Sequence, residues 1–143
     1  MKIKQLSIFV ENRIGRLAEI TEILASKQVD IRALSLADTS DFGILRLIVN
    51  SPDMAYAALL EAGVMVRATD VLAVSMVDEP GGFARTVGIL SQAGVGIEYL
   101  YAFVSRKGSE AVIILRADDC DKAIEVLNRN GIRLLAPDEV YNL

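Results

Sequence analysis

The chain has 143 residues and a mass of 15.5 kDa, enough for one ordinary domain or two small ones. With 52% hydrophobic residues it has ample apolar surface to fold, and 15 basic against 19 acidic residues, a net charge of -4, argue against a phosphate-backbone patch as the leading function. The absence of histidine removes Ser-His and Cys-His dyads and every His-based metal site, and a single cysteine leaves no disulfide framework.

The first residues, Met1-Lys2-Ile3-Lys4-Gln5, lack the apolar stretch of a signal peptide, and no apolar run approaches a membrane span. The expectation is a soluble cytoplasmic protein with no membrane partner. Residues 6–10 form a short apolar run and read as a strand. Residues 11–15 form a turn, and Leu17, Ile20, Ile23 and Leu24 follow at helical spacing. Residues 29–36 and 44–49 read as strands joined by a hairpin turn at Asp38-Thr39-Ser40-Asp41. Ser51-Pro52-Asp53 opens a second helix, Gly63 closes it, and residues 64–67 begin a last strand.

The series then starts again. Residues 71–77 read as a strand, and Phe83, Val87, Leu90 and Ser91 lie along a helix. Residues 95–104 and 111–116 read as strands joined by Arg106-Lys107-Gly108-Ser109. A helix over 118–130 is capped by Asp118 or Asp119 and closed by Gly131, and residues 132–135 read as a strand. Shifted by 66 positions, the chain matches itself at Leu6/Leu72, Gly15/Gly81, Ala18/Ala84, Ile23/Ile89, Leu24/Leu90, Val29/Val95, Ile31/Ile97, Leu34/Leu100 and Ile48/Ile114. A two-residue insertion moves the offset to 68, where Gly63 meets Gly131. This is a tandem repeat whose copies, residues 1–69 and 70–143, are each large enough for a small domain. The order β-α-β-β-α-β predicts an α+β fold of two ferredoxin-like units, antiparallel sheets with helices on one face, set side by side as one extended sheet. By alignment with residues 71–74, the tail at 139–143 is expected to be a ninth strand.

The turn after each first strand is where chemistry can sit. In copy two, Asp78-Glu79-Pro80-Gly81-Gly82-Phe83 combines a proline that fixes φ with glycines that leave backbone N–H groups uncovered. These groups lie at a helix N-terminus, which favours a phosphate or a carboxylate. Copy one has Asn12-Arg13-Ile14-Gly15-Arg16-Leu17 in the same place, with two guanidinium groups that would assist an anionic group or stay as solvated surface charge. Asn12 and Asp78 are placed to cap the helix or to grip an ammonium or amide. An ordinary turn and cap explains such a loop equally well.

These loops, the repeat and the run Ile89-Leu90-Ser91-Gln92-Ala93-Gly94-Val95-Gly96-Ile97 resemble the ACT domain over nearly the whole chain. Copy two matches that family's D-x-P-G pattern, whereas copy one has Asn for Asp and Ile for Pro. The resemblance implies a non-catalytic regulatory module that binds a free amino acid and controls a separate enzyme allosterically. It implies ligands between the first-strand loop of one unit and the second strand of a neighbour. The site residues carried over are Asn12, Arg13, Ile14, Gly15, Arg16 and Leu17 in one half-site, and Asp78, Glu79, Pro80, Gly81, Gly82 and Phe83 in the other. Leu34, Ser35, Leu36, Leu100, Tyr101 and Ala102 on the second strands would face them. No cofactor or metal is implied, and exposed second-strand edges suggest a homodimer.

Tyr99, Tyr101 and Phe103 alternate along one strand, where the matching residues of the first copy are the small Ala33, Ser35 and Ala37, and could line a pocket, meet another subunit or pack within the chain. Asp118-Asp119-Cys120-Asp121 reads as helix caps rather than a metal site. Ser75 and Ser91 have no base nearby in sequence, and Cys120 reads as a helix residue. Two alternatives remain: a small enzyme subunit using Glu79 and Glu98 as acid and base, or an RNA-binding sheet stacking bases on the aromatic strand. The acidic pI of about 4.8 argues against nucleic acid.

Overall fold

The structure, a computed structural model, describes residues 1–38, 41–104 and 108–143, with the backbone alone for Phe103 and Val104. The chain divides into an N-terminal unit, Lys4–Thr69, and a C-terminal unit, Asp70–Tyr141, to which Met1–Ile3 also belong. The turn residues Thr39, Ser40, Arg106 and Lys107 lie outside the described residues, as does the Phe103 side chain of the aromatic stripe.

The elements of the N-terminal unit are β1 (Ile3–Glu11), α1 (Arg16–Ser26), β2 (Ile31–Asp38), β3 (Phe42–Val49) and α2 (Pro52–Glu61). The start of β4 (Val66–Val77) completes it. Its strand order is β2-β3-β1-β4, with β1 and β2 both antiparallel to β3. Alternation decides the buried face: Leu6, Ile8 and Val10 of β1 and Leu45 and Leu47 of β3 point to one side. There they meet Ile20 and Leu24 of α1 and Ala55 and Leu59 of α2. Each large side chain of this kind contributes about 1.5–3 kcal/mol by leaving water.

The C-terminal unit repeats the plan with α3 (Gly82–Gln92), β5 (Ile97–Val104), β6 (Glu110–Ala117), α4 (Cys120–Arg129) and β7 (Arg133–Leu134). β4 pairs antiparallel with β6 and β7, and β6 pairs with β5. The order within a unit is therefore fourth, first, third, second strand in both copies, the ferredoxin-like arrangement. Leu72, Val74, Met76, Ile113 and Leu115 pack on Leu90, Ala123 and Leu127. The fold is thus α+β with two such units, as the repeat predicts. One difference is that residues 66–77 form a single strand where two were expected.

The tail does not form a ninth strand. It is a short helix, α5 (Pro137–Tyr141). Pro137 cannot donate to a ladder and suits a first helical turn. The Ala136 N–H donates to Glu139 Oε2 at 2.8 Å, and Val140 is fully buried. Arg133 also pairs with Glu139. The acidic group at 118–121 is used structurally: Asp118 Oδ1 accepts from Gly96 N–H at 3.0 Å, and Asp119 Oδ1 caps α4 by accepting from Lys122 N–H at 3.0 Å. Asp121 lies 3.1 Å from Lys2 Nζ.

Candidate functional site: two glycine turns and their cavities

The loop after each first strand is built by the same hydrogen bonds. Asn12 N–H donates to Asp41 O at 3.2 Å, and Asp78 N–H donates to Ser109 O at 2.8 Å. Arg16 N–H then donates to Arg13 O at 3.3 Å, and Gly82 N–H to Glu79 O at 3.1 Å, each closing a four-residue turn. At the third position Gly15 has φ 90° and ψ -12°, and Gly81 has φ 91° and ψ -13°. These angles define a type II turn, which needs positive φ there and therefore glycine. Pro80 and Ile14 occupy the second position, where proline is favoured and other residues are tolerated. The helices start directly after the turn, with Glu19 N–H on Gly15 O and Arg85 N–H on Gly81 O, both at 2.9 Å.

Asn12 and Asp78 are not the caps that the sequence suggested. The N-cap positions are Gly15 and Gly81, and neither helix has a side-chain cap. The type II turn separates Asn12 and Asp78 from the helix by three residues. The first N–H groups of α1 and α3 thus lack intrahelical acceptors, as at any helix start.

The N-terminal loop borders a cavity of about 250 Å³ lined by Glu11, Asn12, Arg13, Leu17, Leu36 and Asp38. Loop residues and two residues of β2 of the same unit, Leu36 and Asp38, come together there, while Ile14, Gly15, Arg16, Leu34 and Ser35 do not line it. The guanidinium groups of this loop are engaged by the chain itself. Arg13 binds Glu19 through Nη1 and Nη2 at 3.2 and 3.0 Å, and Arg16 Nη1 reaches Glu19 at 3.1 Å. Arg16 Nε lies 2.9 Å from Glu11 Oε2, an ion pair whose angle does not make an aligned hydrogen bond, and its side chain is mostly buried. The bidentate Arg13 holds the Glu19 carboxyl below its ordinary range, with Arg16 adding to the effect. Glu19 in turn raises Arg13.

The C-terminal loop borders a cavity of about 400 Å³. Glu79, Pro80, Gly81 and Gly82 line it from the loop, and Ser75, Arg85, Thr86, Glu110 and Arg133 from the elements around it. Ser75 and Thr86 are buried, and their hydroxyls donate to Glu110 Oε2 at 2.8 Å and Gly82 O at 3.3 Å. Arg133 Nη1 lies 3.5 Å from the same Glu110 oxygen. Asp78, Phe83, Leu100, Tyr101 and Ala102 do not line this cavity. Phe83 and Leu100 instead meet in a gap of about 10 Å³ over the core. Glu98 lies away from Glu79 and pairs with Arg116 at 3.4 Å, so the two carboxylates share no cleft.

Sequence reading passed over Arg85, Thr86, Glu110 and Arg133, and weighed Ser75 only as a nucleophile. A signal existed in the repeat: Ser75, Arg85, Thr86 and Arg133 meet Phe9, Glu19, Ile20 and Met65, and in the strand registers Glu110 lies opposite Val77 as Phe42 lies opposite Glu11.

Two β-α-β-β-α-β units in one chain, each with a glycine turn between first strand and first helix, define the tandem ACT class. The ACT domain pair profile matches residues 1–143, and the chain belongs to that family. The structure is similar to that of protein BT0572 from Bacteroides thetaiotaomicron, with a TM-score of 0.95 and 45% identity over 100% of this chain and 98% of that one. It is also similar to the ligand-free regulatory subunit of aspartate kinase from Thermus thermophilus, with a TM-score of 0.62, 17% identity, and 88% and 91% of the two chains covered. Clostridium acetobutylicum aspartate kinase gives a TM-score of 0.52 and 14% identity, covering 90% of this chain and 32% of that one. The latter two share the fold. No curated protein matches the chain. Among the described residues no helix is long and apolar enough to cross a membrane.

Proposed function

We propose that the chain is a non-catalytic cytoplasmic sensor that binds a free amino acid at its glycine loops and regulates a separate protein allosterically. One observation carries this reading. Two loops of different sequence, Asn-Arg-Ile-Gly and Asp-Glu-Pro-Gly, adopt one backbone conformation with φ of 90° and 91°, and each opens onto a cavity. A free amino acid suits such a place: its carboxylate meets main-chain N–H groups and guanidinium, and its ammonium meets carboxylates and carbonyls. The regulatory role described for the Thermus protein of this fold accords with it.

The candidate positions are Asn12, Arg13, Ile14, Gly15, Arg16 and Leu17 with the strand residues Leu34, Ser35 and Leu36. In the second copy they are Asp78 to Phe83 with Leu100, Tyr101 and Ala102. A homodimer formed at the β2 edge is part of the proposal. β2 ladders only with β3 among the described residues, and Leu34 and Leu36 on it are 58% and 49% exposed. Regulation then requires that the ligand bind two arrangements of the protein with different affinity.

Calorimetry against the twenty amino acids tests the reading. At least one is expected to bind, and Gly81→Val is expected to abolish binding at the second loop while the fold persists. Silence from all twenty with a folded protein refutes it.

A further inference from the structure

The two loops share a backbone but exchange their charges. Arg13 and Glu19 of the first correspond to Glu79 and Arg85 of the second. In the first loop the pair is closed, bidentate, and joined by Arg16 and Glu11. In the second, Gly82 stands in place of Arg16 and Val77 in place of Glu11. Glu79 and Arg85 form no ion pair with each other or with any other described residue, and both line the cavity. A guanidinium at a cavity wall lacks the carboxylate that the chain supplies to itself in the other copy. A carboxylate from outside completes the arrangement.

The same cavity holds a fixed negative group from another element. Glu110 on β6 is steadied by the Ser75 hydroxyl and by Arg133, and both contacts fall on Oε2, leaving Oε1 to a guest. In the strand register Phe42 takes the place of Glu110, and the repeat sets Phe9 and Met65 against Ser75 and Arg133, so the first copy has no such wall. A volume of about 400 Å³ lies within the range of small-molecule sites, about 300–1,000 Å³.

We infer that the chain binds its ligand in the C-terminal unit only, in this cavity, as a small zwitterion whose carboxylate is held by Arg85 and whose ammonium is held by Glu110. This rests on the amino-acid-sensing reading and narrows it to one site per chain, within one unit. The first loop, its cations neutralised by Glu11 and Glu19, is a structural copy.

The test is calorimetry on the full chain with each of the twenty amino acids, followed by the amide and the N-acetyl derivative of the tightest binder. One ligand per chain is expected. Arg85→Gln and Glu110→Gln are each expected to weaken binding by about tenfold or more, the loss of one charge-assisted hydrogen bond. The amide and the N-acetyl derivative, each lacking one charge, are expected to lose as much. Glu19→Gln is expected to change nothing. Two ligands per chain, or full affinity in Arg85→Gln, overturns the single site and leaves amino-acid sensing intact. Silence from all twenty overturns both. Amide shift mapping on the unmodified protein gives an independent reading: perturbations at 79–86, 110 and 131–133 support the inference, and perturbations confined to 11–19 overturn it.

Discussion

Gly81 and Gly82 adjoin each other, yet the structure assigns them different reasons for being glycine. Gly81 has φ 91°, and a Cβ built on it meets nothing within 4 Å. Its substitution costs backbone strain alone, about 1–2 kcal/mol for an L-residue in the left-handed region. Alanine also stiffens the unfolded chain, which offsets about 0.4–1 kcal/mol, so Gly81→Ala is expected to cost about 1 kcal/mol. Asparagine tolerates this region better, and Gly81→Asn is expected to cost less. Gly82 has ordinary helical backbone, but its Cβ would stand 2.4 Å from Val77 O. That contact is backbone against backbone at the end of β4, so either the strand end or the turn must move. Gly82→Ala is therefore expected to cost more than Gly81→Ala, toward the upper part of the 1–3 kcal/mol typical of overpacking, about 2–3 kcal/mol. Urea denaturation followed by far-UV circular dichroism and tyrosine fluorescence reads both, since the chain has no tryptophan. A loss of about 1 kcal/mol lowers the midpoint by about 0.3–1 M. Gly15, with φ 90°, is expected to respond to alanine as Gly81 does. The reasoning fails if Gly82→Ala is milder than Gly81→Ala, or if Gly15→Ala and Gly81→Ala differ by more than about 0.5 kcal/mol, the usual scatter of surface substitutions.

Asp119 caps α4 through Lys122 N–H, so Asp119→Ala is expected to lose about 0.5–2 kcal/mol, with Asp119→Asn retaining most of the stability. Thermal melts of the two variants check this, and equal melting would remove the cap from the account. The Glu139 carboxyl is held below its ordinary range by the Ala136 N–H first and by Arg133 second. A carboxyl lowered in the folded state contributes stability that is complete above its unfolded pKa and is lost as pH falls through the folded value. The α5 resonances are expected to titrate at a pH below the ordinary glutamate range, and Glu139→Gln to remove that acid transition. A transition at or above the ordinary range would contradict the contact.

Much of the fold was legible because duplication supplies a control within one chain. The matched pairs Leu24/Leu90 and Gly15/Gly81 identify the same core position and the same turn twice. The strand type followed from the short apolar run at residues 6–10 and the helix type from the spacing of Leu17, Ile20, Ile23 and Leu24, and the structure buries Leu6, Ile8 and Val10 against Ile20 and Leu24. The tail misled because alignment placed it against strand residues, whereas Pro137, Glu139 and the burial of Val140 favour a helical turn. The caps misled for a related reason. Asn12 and Asp78 have capping side chains, but the type II turn set by Gly15 and Gly81 places them outside the helix.

Local chemistry in the sequence determined the elements, the repeat and the glycine turns, because periodicity, proline and positive φ act over a few residues. Tertiary structure alone decided which charges are spent and which remain available. Glu19 on α1 reaches back over the glycine turn to Arg13, and Ser75, Glu110 and Arg133 converge from separate strands. Interactions between ionised groups depend on distance and burial. Sequence order does not carry either quantity for residues that the fold brings together from far apart.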